Sequence, residues 1–191
     1  MNISKTNYSQ AFGKQALMTC TIEEKESKTE KPATLYKLNP NDKSDREDIF
    51  FSRHANCIAR DFKKAQFKSC QPKDFYIIQN DKTNEVISCA QTSHRYKPSG
   101  FPNAGQYTLI EEASENKKYK NGLEPLFAFI TKQSTKQCDE NIFTAFDETT
   151  IPRLENSKFL KADTGEYYIP KANFNPVLQQ TEEKYNIEYL V

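Results

Sequence analysis

Three lysines crowd an Asn-Gly step in the run Lys117-Lys118-Tyr119-Lys120-Asn121-Gly122, and the next residues, LEPLFAFITKQS, carry an apolar stripe at helical spacing. Those residue types in that order can hold phosphate. A helix leaves its first N–H groups without intrahelical partners, and they sit at the positive end of its dipole. Asn-Gly supplies the positive-φ freedom that lets successive amides converge. The expected chemistry is the grip of a cofactor's pyrophosphate. Two neighbours oppose it. Glu124 sets a carboxylate in the first helical turn, where it stabilises an empty helix by ~0.3–1 kcal/mol and repels a bound phosphate. Pro125 lacks an N–H, although this early in a helix the loss is small. The plain alternative is an Asn-capped helix start with solvated lysines.

A strand must deliver that turn and another must receive its helix. QYTLIEEA (106–113) reads as the delivering strand, and NIFTAFD (141–147) and GEYYIPK (165–171) as later ones. TTIPRLENSKF (149–159) reads as a short helical stretch between the last two. Upstream, LMTCTIEE (17–24) and ATLYKL (33–38) read as strands, with KESKTEKP (25–32) a charged loop ending in Pro32. Ile49, Phe50, His54, Cys57, Ile58, Phe62 and Ala65 recur at helical spacing. They predict a one-sided helix from a cap at Ser44 or Asp45 to Phe67, with Arg46, Arg53, Arg60, Lys63 and Lys64 on its solvated face. FYIIQ (75–79) and EVISCAQTS (85–93), joined by NDKTN, make a hairpin that ends in the cationic His94-Arg95-Tyr96-Lys97. PSGFPNAG (98–105) is a loop. The tail carries a breaker, Pro176, and a closing IEYLV that can add a strand. Residues 1–32 are expected to be an extension, partly disordered or supplying one strand, and 33–191 a single domain.

Composition removes several classes. Lys and Arg number 27 against 26 Asp and Glu, a net charge of +1. A nucleic-acid coat or a polybasic membrane tail needs a net cationic field, so neither nucleic acid nor membrane is an expected partner. No apolar run approaches the ~20 residues of a bilayer span, and the first twenty residues lack the apolar core of a secretory signal. The five cysteines, Cys20, Cys57, Cys70, Cys89 and Cys138, are widely spaced without a CxxC pair. They argue against a zinc knuckle and for a reducing, cytoplasmic compartment. Cys57 and Cys89 read as small buried hydrophobes. His54 and His94 are too few for a histidine metal site, so no metal is expected. No Gly-x-Ser-x-Gly, Gly-x-x-x-x-Gly-Lys-Ser/Thr or Gly-x-Gly-x-x-Gly occurs among five glycines, so hydrolase elbows, P-loops and dinucleotide folds are set aside.

From Ala33 to Lys171 the order is strand, helix, hairpin, strand, helix, strand, helix, strand. This order resembles the GNAT acetyltransferase superfamily, whose members bind acetyl-coenzyme A. ATLYKLNPND resembles the family's opening strand and the turn into its first helix. YKNGLE, Tyr119 to Glu124, falls where the family has its pyrophosphate loop of Arg or Gln, two residues, Gly, one residue, then Gly or Ala. Gly122 takes the middle glycine, whereas Tyr119 replaces the Arg or Gln and Glu124 the small residue. RLENSKF, Arg153 to Phe159, sits where the family has a helix ending in a Gly-Phe step. In that register the family's proton-donating tyrosine falls on Leu154, which cannot donate, while Tyr167 and Tyr168 stand on the next strand.

The resemblance implies an α/β (α+β) fold with a mixed, mostly antiparallel central sheet, a splayed cleft and flanking helices. It implies acetyl-CoA as cofactor, held by Lys117, Lys118, Tyr119, Lys120, Asn121, Gly122 and Leu123. The implied activity is acyl-CoA-dependent transfer of an acetyl group to a primary amine of a protein or small molecule. Such a transfer needs a base for the amine and a donor for the carbonyl oxygen. The candidate bases are Glu112 and, second, Glu111. Alternation along a strand sends them to opposite faces, Glu112 with Ile110 and Glu111 with Leu109. The rival reading is a catalytically inactive GNAT-like scaffold that binds a protein. Leu154 and Glu124 favour that rival, and the lysine-rich turn favours the enzyme.

Overall fold

The computed structural model describes residues 13–39, 42, 45, 73–97, 105–137, 139–144, 150–163 and 165–190. The helix expected up to Phe67, apart from Asp45, the loop 98–104, and His54, Cys57, Cys70 and Cys138 lie outside the described residues.

The chain opens with β1 (Gln15–Glu24) and β2 (Thr29–Leu38), paired antiparallel from Gln15↔Lys37 to Glu24↔Thr29. The loop expected to end at Pro32 is therefore shorter, and Pro32 stands inside β2 opposite Thr21. The reason is local. β2 meets the third strand only from Ala33, and the Pro32 carbonyl accepts the Asp81 N–H at 3.1 Å. The missing proline N–H thus faces the end of the ladder, where no sheet bond is lost. β3 (Lys73–Asn80) and β4 (Val86–Lys97) form the expected hairpin. The Asn80 side chain holds the turn by accepting N–H bonds from Lys82 at 2.9 Å and Thr83 at 3.3 Å.

β5 (Gly105–Glu115) leads to α1 (Leu123–Lys136), then β6 (Asn141–Thr144), α2 (Ile151–Asn156), β7 (Leu160–Lys161) and β8 (Tyr167–Pro170). α2 stops at Ser157, and Lys158 takes a left-handed φ of 61°, the conformation a glycine favours. The tail forms α3 (Phe174–Tyr185) and β9 (Glu188–Tyr189). Pro176, expected as a breaker, is the third residue of α3. N–H groups in a first turn have no intrahelical acceptor, so proline removes nothing there. The closing segment adds a strand as expected, with β9 pairing onto β1.

The sheet order is β7-β8-β6-β5-β4-β3-β2-β1-β9, and among the described strands only the β5–β6 contact is parallel. One face packs under α1 and α3 through Leu35, Ile78, Ile110, Ile142, Leu126 and Phe129. The other face carries a smaller cluster of Leu38, Phe75, Ile77, Val86 and Cys89. Ile77 and Ile78 fall in different clusters because successive strand residues point to opposite faces. Cys20 is core as well, and burial pushes its thiol up to about 12, so it is an inert hydrophobe. No described helix is long and apolar enough to cross a membrane.

Candidate functional site

The site begins where β5 outruns β6. Their parallel register covers Tyr107↔Asn141 to Ile110↔Thr144, the last described residue of β6. β5 continues to Glu115, paired to β4 on its far side. Among the described residues no strand takes the other edge of Glu111–Glu115.

A β-bulge marks the same point. Thr92 opposes Ile110 and Gln91 opposes Glu112, so Glu111 is the extra residue. The bulge corrects the expected alternation. Glu112 shares a face with Gln91, hence with Leu109 rather than Ile110, and Glu111 reaches the same face. The Glu111 carboxylate accepts hydrogen bonds from Gln91 Nε2 at 2.7 Å, Ser93 Oγ at 2.7 Å and Arg95 Nη2 at 2.9 Å. Three donors, one of them a guanidinium, hold that carboxylate in place. Within the cationic strand end, Arg95 is thus a partner of Glu111, and His94 Nδ1 lies 3.2 Å from Asp139 Oδ2.

The lysine turn lies against β1 and the β3–β4 hairpin. The Lys25 N–H donates to the Lys118 carbonyl at 2.9 Å, and the Lys120 N–H donates to the Glu23 carbonyl at 2.9 Å. Lys118 Nζ sits 2.9 Å from Glu24 and 3.1 Å from Glu85, and Lys120 Nζ sits 3.1 Å from Glu23. The Lys118 hydrogen bond, helped by Ser27 and Lys31, holds the Glu24 carboxyl down at about 2. Lys118 is correspondingly pushed up, first by Glu24 and then by Glu85. Tyr119 is 1% exposed, and its hydroxyl donates to Glu85 at 2.9 Å. Asn116 ties the turn's start by accepting the Lys118 N–H at 3.0 Å. Lys117 is exposed.

Asn121 and Gly122 divide the work expected of the step. Asn121 takes the positive φ, 55°. Gly122 allows close approach, because a Cβ there would lie 2.9 Å from Ile87 Cγ2. Beyond it, the Leu123 N–H donates to Glu115 Oε2 at 3.3 Å, and Arg153 Nε donates to Glu115 Oε1 at 2.7 Å. The Glu124 side chain, 4% exposed, turns away from the turn. It accepts from Lys184 Nζ at 2.6 Å, Tyr185 Oη at 2.6 Å and Asn156 Nδ2 at 3.1 Å. Burial and then this carboxylate push the Tyr185 hydroxyl well above the usual phenol range. α1 therefore starts beneath α2 and the end of α3.

Leu154 is fully buried and belongs to the core. Tyr167 is buried too, while Tyr168 is half-buried and stacks on Phe143 with ring centroids 5.8 Å apart. Glu115, Arg153, Asn156, Lys184 and Tyr185 were not found from sequence. Arg153 lies 38 residues from Glu115 and Tyr185 lies 61 from Glu124, so no local spacing links them.

A mixed, mostly antiparallel sheet flanked by helices, with α1 linking the parallel β5 and β6, is the GNAT acetyltransferase fold. Solved structures carry the likeness. AtaTR bound with AcCoA is 12% identical with a TM-score of 0.53, covering 76% of this chain and 97% of that one. The NatC complex bound to Gag peptide and CoA is 13% identical with a TM-score of 0.50, covering 72% and 98%. The AtaT-AtaR complex bound to DNA is 12% identical with a TM-score of 0.51, covering 75% and 98%. No protein-family model matches the chain, and no curated protein matches it by sequence. The DNA-bound complex corrects the expectation that no nucleic acid is a partner. A net charge near zero sums the whole chain, so it is silent about a local cationic face or a companion chain in a complex.

Proposed function

We propose that this protein is an acyl-CoA-dependent N-acyltransferase that moves an acetyl group to a primary amine. The observation that carries the reading is the β-bulge at Glu111, placed just beyond the parallel β5–β6 pairing, in a fold whose solved examples include AcCoA-bound AtaTR and CoA-bound NatC. The residues present suit acetyl-CoA at both ends. The Glu111–Glu115 edge offers main-chain groups to the amides of a pantetheine arm. The α1 start already holds an oxyanion, the Glu115 carboxylate, between an amide and a guanidinium. Glu124, expected to repel phosphate, is neutralised by Lys184 and faces α3.

Acetyl-CoA supplies a thioester, whose acyl carbon accepts an amine. The protein's own work is to place and deprotonate that amine. Lys117, Asn121, Gly122 and Leu123 line the diphosphate end in this reading, and Lys118, Tyr119 and Lys120 fix the turn through Glu24, Glu85 and Glu23. Glu111 is held by three donors and serves as a fixed negative charge. Glu112 is the base, removing a proton from the amine directly or through one water. A β5 amide at the bulge would donate to the thioester's carbonyl oxygen when acetyl-CoA is bound. Leu154 gives no proton to a leaving thiolate, so positioning supplies most of the rate. A cytoplasmic setting goes with this cofactor.

The test is calorimetry with coenzyme A, followed by thiol release from acetyl-CoA against a panel of primary amines. Binding and amine-dependent release are expected. Glu112→Gln should lower kcat by ~10²–10⁴-fold with little change in coenzyme A affinity. Absence of coenzyme A binding at millimolar concentration would overturn the reading.

A further inference from the structure

Glu115 is the last residue of β5, and its carboxylate lies where a ligand's anion would meet α1. Its two donors come from different elements, the Leu123 N–H at the start of α1 and the Arg153 guanidinium on α2. Neither side chain is sealed in, with Glu115 16% and Arg153 21% exposed. A third group at the same place has no partner. Ser88 is 1% exposed, and its hydroxyl makes no hydrogen bond. It opposes Glu115 directly in the β4–β5 register, so both side chains share the face under α1. A buried hydroxyl without a partner is destabilising, and a carboxylate with two donors leaves acceptor sites unfilled. A phosphate has more oxygens than a carboxylate and can engage the amide, the guanidinium and the hydroxyl together.

We propose that the Leu123 amide, Arg153 and Ser88 form an oxyanion subsite in which Glu115 is the resident occupant. The diphosphate of coenzyme A enters by displacing the Glu115 carboxylate into solvent. This rests on the cofactor reading above and adds a regulatory contact to it. The charges support exchange rather than simple addition. With Glu115 in place, two carboxylates, Glu115 and Glu124, face two cations, Arg153 and Lys184. With Glu115 swung out, the cluster keeps one net positive charge for the incoming anion. Glu115 is followed at once by the Asn116 turn, so the carboxylate can leave by side-chain rotation without breaking the sheet.

The experiment is calorimetry on the full chain at fixed ionic strength with three probes: coenzyme A, inorganic pyrophosphate, and pantetheine, which lacks the diphosphate. Glu115→Gln should tighten coenzyme A and pyrophosphate by the same factor, roughly 5–150-fold, and leave pantetheine unchanged. Glu115→Asp, too short to bridge both donors, should act in the same direction and serves if the glutamine variant folds poorly. Adding Arg153→Ala or Ser88→Ala to Glu115→Gln should weaken pyrophosphate binding. Coenzyme A and pyrophosphate affinities unchanged or weaker in both Glu115 variants would overturn the exchange, while coenzyme A binding by the parent would leave the cofactor reading standing. If no variant binds coenzyme A or pantetheine, the cofactor reading falls. Pyrophosphate then decides the subsite alone, and its failure to bind Glu115→Gln overturns it.

Discussion

Glu124 is the strongest test of how α1 is held. Its carboxylate joins three elements, since it accepts from Asn156 of α2 and from Lys184 and Tyr185 of α3. Glu124→Ala takes the acceptor from the buried Tyr185 hydroxyl and so loses a hydrogen bond to a charged group worth ~1.5–3 kcal/mol. The Asn156 bond adds ~1 kcal/mol. Lys184 is half exposed and is resolvated with little loss, ~0–1 kcal/mol. The sum is about 3–5 kcal/mol, a large part of the ~5–15 kcal/mol that keeps a domain folded. For a chain of this size it lowers Tm by roughly 6–20 °C. Glu124→Gln keeps an acceptor and should lose less than half of that. A double-mutant cycle of Glu124→Ala with Tyr185→Phe should return a coupling of ~1–3 kcal/mol. The sign with pH follows from the same contact. The Tyr185 hydroxyl is raised in the folded state, so its contribution is complete below the ordinary phenol value and is lost as pH rises above it. Alkaline unfolding should therefore be shallower in Tyr185→Phe than in the parent. Scanning calorimetry at neutral and alkaline pH measures both effects. A Glu124→Ala protein melting within 2–3 °C of the parent (about 1 kcal/mol or less) would refute the contact as a structural tie.

Gly122→Ala should destabilise by about 1–3 kcal/mol, because its Cβ meets Ile87 Cγ2 at 2.9 Å, and Ile87→Leu, which lacks that methyl, should recover part of the loss in the same chain; chemical denaturation reads both. The Glu24 carboxyl is lowered from 4.5 to about 2, so its contribution to stability is present above 4.5 and fades as pH falls toward 2. Lys118→Met should bring that carboxyl back toward 4.5, as followed by carboxyl-carbon NMR, and should flatten acid unfolding between those pH values. Glu112→Gln, with its loss in kcat, completes the set.

Most of the element order could be read from residues alone. Alternation in FYIIQ and EVISCAQTS and the stripe in LEPLFAFITKQS are imposed by burial on one face, which is why β3, β4 and α1 fell close to the expected bounds. Two prolines misled the reading. Pro32 hid the start of β2 because its tolerance depends on where β3 stops, and Pro176 hid α3 because a proline in a first turn looks like one that ends a helix. The order of motifs likewise pointed to the GNAT fold, down to Lys158 standing with glycine-like φ before Phe159.

Read alone, the residues set out the chemistry on offer: three lysines and an Asn-Gly step before a helix, and two adjacent carboxylates on the preceding strand. Packing settled which of those groups are already engaged. A one-residue bulge put Glu111 and Glu112 on one face, and no local pattern encodes a bulge set by the neighbouring strand. Lys118 was joined to Glu24 and Glu85, Glu124 to Tyr185, and Glu115 to Arg153. These pairs are distant along the chain, and only the packing of sheet against helices brings their charges within hydrogen-bond reach.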